Sequence, residues 1–139
     1  MNENKLRWSL FLLRAALTAF FSVWALEKFV HPQTTVAIWK AFYFVDSLPL
    51  EASYAIGAVQ AVMVFCFFFG ILKFWSYGFL LVIHALSTIL SASRLLDPYA
   101  GHNHLFWAAV PTLAALVVLF MHRREDTKFT LSRKTGALR

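Results

Sequence analysis

A single cysteine, Cys66, is all the thiol chemistry this chain has. One thiol makes no internal disulfide, CxxC redox pair or zinc cage, which excludes the disulfide-forming membrane oxidoreductases. Inside the apolar run Ala61–Gly70, Cys66 reads as a small packing residue. Charge is also scarce: 14% of residues are charged and 60% hydrophobic, where a soluble domain averages about 25% and about 45–50%. A soluble fold of 139 residues has no interior large enough for that much apolar surface. No flavin, haem or iron–sulfur motif is found, and His84 lacks a partner histidine at its own depth for bis-histidine haem. No RNA- or DNA-binding motif accompanies the net charge of +6, so no nucleic-acid partner is expected.

What is present belongs in lipid. Aromatic residues make up 17% of the chain, and Trp and Tyr collect where hydrocarbon meets headgroups. Four apolar windows, about 6–29, 50–72, 75–96 and 104–121, reach the roughly 20 residues a span requires. Between them lie His31-Pro32, Ser47-Leu48-Pro49, Lys73 and Asp97-Pro98-Tyr99-Ala100-Gly101, all helix-ending or turn-forming signals. The first window carries Arg14 and runs on to about Phe29 with no small-residue cleavage site, so it is expected to be a retained helix. The expected fold is all-α: an integral membrane four-helix bundle, one domain over 1–121, with 122–139 a basic cytoplasmic tail. The connection Pro32–Phe44, with Val36, Ile38, Trp39 and Phe42, is too short to span and predicts an interfacial helix or lid between spans 1 and 2.

Basic residues set the expected orientation. Lys5, Arg7, Lys73 and the six after the last apolar run make nine on one side, against Lys28, Lys40 and Arg94 on the other. Cytoplasmic loops carry the excess of Lys and Arg, which predicts both termini in the cytoplasm of a bacterial inner membrane. The basic tail then reads as a topology signal in contact with lipid headgroups.

Ionisable residues within spans are candidate functional sites by default, because burying charge there is costly. Counted from the cytoplasmic helix ends, Arg14 and His84 lie at roughly 12 and 14 Å, and no carboxylate lies at that level. On the third span His84, Ser87, Thr88, Ser91 and Arg94 fall on one helical face; on the second Ser53, Gly57 and Gln60 do. Arg14, Gln60 and His84, with Ser87, Thr88 and Ser91, are therefore expected to meet as either a structural polar knot or a site for a quinone head group or small ligand. At the outer mouth, Glu27, Lys28 and His31 end the first span, and Arg94 and Asp97, with His102 and His104, flank the third connection as a polar cluster. His102 and His104 either cap the fourth helix or, with His31 as a third ligand, offer imidazoles to copper or zinc.

The order of these features resembles the DoxX family of small four-helix membrane proteins. The likeness rests on Leu12-Leu13-Arg14-Ala15-Ala16-Leu17, on Glu27-Lys28-Phe29-Val30-His31-Pro32 and on Phe69-Gly70, and it covers about residues 6–121. Trp24 and Ala25 stand where members usually have a glycine, and Gln60 stands near an acidic residue that many have. The resemblance implies an inner-membrane bundle in a family linked to quinone-coupled sulfur oxidation and to oxidative-stress membrane complexes. Together these readings predict an accessory subunit, not catalytic on its own, with a membrane-protein or periplasmic partner. The alternatives are a quinone-coupled oxidoreductase subunit fed by an external electron donor, and an outward-facing copper- or zinc-handling protein.

Overall fold

The computed structural model describes residues 2–131. Its elements are α1 (Glu3–Val30), α2 (Pro32–Phe42), α3 (Leu50–Phe68), α4 (Lys73–Leu90), α5 (Ala92–Leu96), a 3-10 segment (Asn103–Ala108) and α6 (Ala109–Met121). Among the described residues, four stretches are long and apolar enough to cross a membrane: α1, α3, α4 and Asn103–Met121. The architecture is thus an all-α, multi-pass bundle, with α2 as the short helix between the first two spans.

Buried positions recur at steps of three or four residues: Leu10, Arg14, Leu17, Phe21 and Ala25 on α1, and Ser53, Gly57, Gln60, Val64 and Phe67 on α3. This seam is what packs two nearly aligned helices against each other. The closest approach is at Gly57, where an added Cβ would lie 2.9 Å from the Cβ of Lys28, and Ser53 Oγ donates across it to the Lys28 carbonyl at 3.1 Å. Neighbouring pairs α3–α4, α4–α6 and α6–α1 close the square, leaving α1 diagonal to α4. Phe21, Phe67, Tyr77, Leu80, Leu116 and Leu119 fill the centre. Leu12, Leu26, Val62, Phe65, Val82 and Ile89 point outward, as lipid-facing side chains do when no aqueous exterior has to be avoided.

Helix ends depart from the expected windows for local reasons. α3 stops at Phe68, and Gly70, at φ +60°, closes it with Gly70 N–H to the Phe67 carbonyl and Ile71 N–H to the Cys66 carbonyl, a left-handed cap suited to glycine. The third span breaks at Ser91, where the hydroxyls of Thr88 and Ser91 donate back to carbonyls of His84, Ser87 and Thr88 and bend the helix. The fourth span begins as 3-10 helix before Pro111, a residue with no N–H to bond back along an α-helix.

The first part of the tail is not a solvated appendage. Residues 122–131 fold back under the bundle: Leu131 N–H donates to the Phe69 carbonyl at 2.7 Å, Phe129 packs on Phe11 and Trp8, and Lys128 Nζ sits 4.2 Å above the Trp8 ring. Asp126 is fully buried. The remainder of the expected tail, with Arg133, Lys134 and Arg139, lies outside the described residues.

Candidate functional site

A cavity of about 920 Å³ occupies the half of the bundle opposite the end where the start of α1 meets residues 122–131. Phe20, Phe21 and Trp24 of α1 form one wall and Ile83 of α4 another, while Trp39 and Phe42 of α2 roof it. Phe42 also lies against Phe106 of the 3-10 segment, ring centroids 6.1 Å apart, so α2 covers the chamber as a lid. Its walls are overwhelmingly apolar, and its size falls at the upper end of small-molecule pockets.

Five of the six residues expected at an intrabundle site line this chamber together: Gln60, His84, Ser87, Thr88 and Ser91. They come to one place because the α3 seam turns Gln60 inward and the α4 polar face points the same way. Their hydrogen-bonding capacity is unevenly committed. Thr88 and Ser91 donate to their own helix, as hydroxyls in spans commonly do. His84 Nε2 contacts the Ala109 carbonyl at 3.0 Å; a carbonyl only accepts, so Nε2 carries the proton and Nδ1 is an acceptor. The His84 ring is held edge-on by Phe20 and Phe21, at 5.9 and 5.7 Å. Gln60 Nε2 reaches the Phe21 carbonyl only at 3.5 Å, the outer limit for such a bond, which leaves its amide available. Lys28 and Glu27 stand at the chamber edge, with Lys28 Nζ donating to the Trp24 carbonyl at 2.9 Å.

Arg14 does not join them, which corrects the expectation that it shares a level with His84. Its partners are Tyr77 and Asp126, whereas the α1 residue beside His84 is Phe21, seven residues on and therefore about 10 Å deeper along the helix. Counting from helix ends misleads here because the starts are not level: Arg14, well past the start of α1 at Glu3, lies beside Tyr77, one turn past the start of α4 at Lys73. The carboxylate that seemed missing is supplied by the tail. Arg14 Nη1 lies 2.9 Å from Asp126 Oδ2, and both side chains are 0% exposed. Tyr77 Oη donates to the same oxygen at 2.8 Å and accepts from Arg14 Nη1 at 3.3 Å. Arg14 Nη2 donates to the Lys128 carbonyl, and Lys73 Nζ to the Asp126 carbonyl at 2.6 Å. Sequence reasoning missed Asp126 and Tyr77. The usable signal was the requirement that a buried guanidinium have an acceptor, combined with apolar Phe129 and Leu131 following Asp126.

The outer-mouth residues separate in the same way. Glu27 and Lys28 face the chamber, but His31, Arg94 and Asp97 are exposed and do not line it. The rings of His102 and His104 are 6.5 Å apart and exposed, and no group of three His, Cys, Asp or Glu with metal-binding geometry exists among the described residues. His31 therefore does not complete a metal site. The expected imidazole cap is not formed either: His102 holds the N-cap position of the 3-10 segment without a side-chain bond, and Asn103 Nδ2 ties the loop by donating to the Asp97 carbonyl at 2.9 Å.

Chemically, the chamber offers an imidazole acceptor, an amide, the Ser87 hydroxyl and a peripheral ammonium within an aromatic enclosure. That set orients a polar ring or carbonyl by hydrogen bonds and accommodates an apolar body. Compared with family models, with curated proteins and with solved structures, the chain matches none of them, so the chamber itself carries the functional reading.

Proposed function

We propose that this protein binds an uncharged, ring-headed lipid such as a quinone in the outer chamber and serves as an accessory subunit of a redox-associated membrane complex. The observation that carries this reading is the coincidence of Gln60, His84 and Ser87 on one side of a chamber otherwise walled by Phe20, Phe21, Trp24 and Trp39. A carbonyl-bearing ring accepts from the Gln60 amide and the Ser87 hydroxyl, and a hydroquinone hydroxyl donates to His84 Nδ1. Binding needs no redox centre in the chain, and electrons pass to or from a partner in the complex. The resemblance of residues 12–17, 27–32 and 69–70 to the DoxX family points the same way.

In this reading the chamber faces the periplasmic half of an inner membrane and both termini face the cytoplasm. The basic count supports it, since the N-terminal segment, Lys73 and the tail with Arg123, Arg124 and Lys128 gather at one end of the bundle.

Trp24 and Trp39 in the chamber wall provide the test. A short-tailed quinone added to protein in nanodiscs quenches tryptophan fluorescence saturably in the wild type, and His84→Leu and Gln60→Leu weaken that saturation. Linear, non-saturating quenching in the wild type overturns the proposal.

A further inference from the structure

The inner end of the bundle holds a cluster that the chamber does not use. A guanidinium, a phenol and an ammonium, those of Arg14, Tyr77 and Lys73, converge where the tail crosses beneath α1 and α4. The charge they enclose is the carboxylate of Asp126, reached from the chain's far end.

That carboxylate fits its site incompletely. Arg14 Nη1 and Tyr77 Oη both engage Oδ2, while Asp126 Oδ1 and Arg14 Nε are buried with no hydrogen-bond partner among the described residues. A guanidinium prefers two parallel bonds to the two oxygens of a carboxylate, and the tethered Asp126 does not supply that geometry. The tail's other hydrogen bonds run chiefly from Arg14, Lys73 and Leu131 to backbone carbonyls, and beside them Phe129 packs on Phe11 and Trp8 and Lys128 on Trp8, while Phe129 and Leu131 stay 66% and 64% exposed. Phe129 also holds φ +52°, a left-handed conformation that an aromatic residue adopts only against steric resistance.

We propose that Arg14 and Tyr77 form a carboxylate-binding site at the inner end of the bundle, occupied in the closed state by Asp126 of the protein's own tail. A carboxylate arriving from that side, free in solution or borne by a fatty acid in the adjoining leaflet, takes the Asp126 position and releases the tail. Once the Lys128 carbonyl leaves Nη2, an untethered carboxylate engages Arg14 through two oxygens along its Nη1–Nη2 edge. The tail competes by proximity, because its carboxylate acts at the high effective concentration of an intramolecular ligand. This site is independent of the outer chamber, so its failure leaves the chamber reading untouched.

Trypsin reads tail release through cleavage after Lys128, whose carbonyl Arg14 holds. With wild-type protein in nanodiscs, sodium acetate or dodecanoate is compared with sodium chloride at equal ionic strength, and cleavage is quantified by mass spectrometry. The expected result is a severalfold, saturating rise with carboxylate and none with chloride. A response to acetate identifies a soluble ligand, and a response to dodecanoate alone identifies a lipid-borne one. Asp126→Asn supplies a second measurement: its tail is cleaved rapidly from the start, and carboxylate, but not chloride, raises its melting temperature. Equal effects of carboxylate and chloride on the wild type, or no carboxylate-specific stabilisation of Asp126→Asn, overturns the proposal.

Discussion

Arg14 in the first helix and Asp126 in the tail meet at 2.9 Å with neither side chain exposed. This pair ties the first helix to the segment that follows the last span. Breaking a buried ion pair on one side strands the other charge, at a cost of about 3–5 kcal/mol, whereas replacing both members by apolar groups is often nearly neutral. Arg14→Leu is therefore expected to lower the melting temperature in detergent substantially, and adding Asp126→Leu is expected to recover most of the loss. A double variant no more stable than Arg14→Leu alone contradicts this.

The separation of Arg14 from His84 gives a contrasting expectation. Residues more than about 7–10 Å apart without shared partners have additive effects. The stability losses of Arg14→Leu and His84→Leu should therefore sum, with no mutual rescue. A double-mutant cycle measured by thermal melts decides it, and a large coupling energy would place the two residues in one network after all.

His84→Leu alone removes one neutral hydrogen bond, to the Ala109 carbonyl, and should destabilise by less than about 1.5 kcal/mol. Its fold is expected to persist while saturable quinone quenching weakens. Unfolding of this variant would show that the imidazole is a structural member of the α4–α6 contact.

Gly70 is pinned by two demands. It holds φ +60°, and an added Cβ would come within 2.6 Å of Thr130 in the returning tail. Substituting alanine where φ is positive destabilises by more than about 0.4–1 kcal/mol. Gly70→Ala should accordingly speed tryptic cleavage after Lys128 while leaving the helices intact by circular dichroism. Unchanged cleavage would mean that Thr130 moves aside without loosening the tail.

The topology is testable through the lone thiol. In a Cys66→Ala background, cysteines introduced at Asn2 and at Tyr99 should label from opposite sides of sealed vesicles with an impermeant reagent. Labelling of both from one side contradicts a four-span bundle.

The sequence alone determined the four spans, a short interfacial helix or lid within Pro32–Phe44 and the inward faces of α3 and α4, because these depend on local quantities. Apolar run length decides what can enter lipid, and the helical repeat decides which side chains share a face. That is why Gln60, His84, Ser87, Thr88 and Ser91 could be grouped by spacing and do line one chamber. Only the tertiary structure decided how far one helix is shifted along another. That offset puts Arg14 beside Tyr77 and His84 beside Phe21, and no periodicity encodes it. The tertiary structure also decided the fate of the tail. By composition residues 122–131 are a polar, basic end suited to water, yet a guanidinium withdrawn from solvent requires a counter-charge. The nearest carboxylate in space proved to be Asp126, among the most distant in sequence.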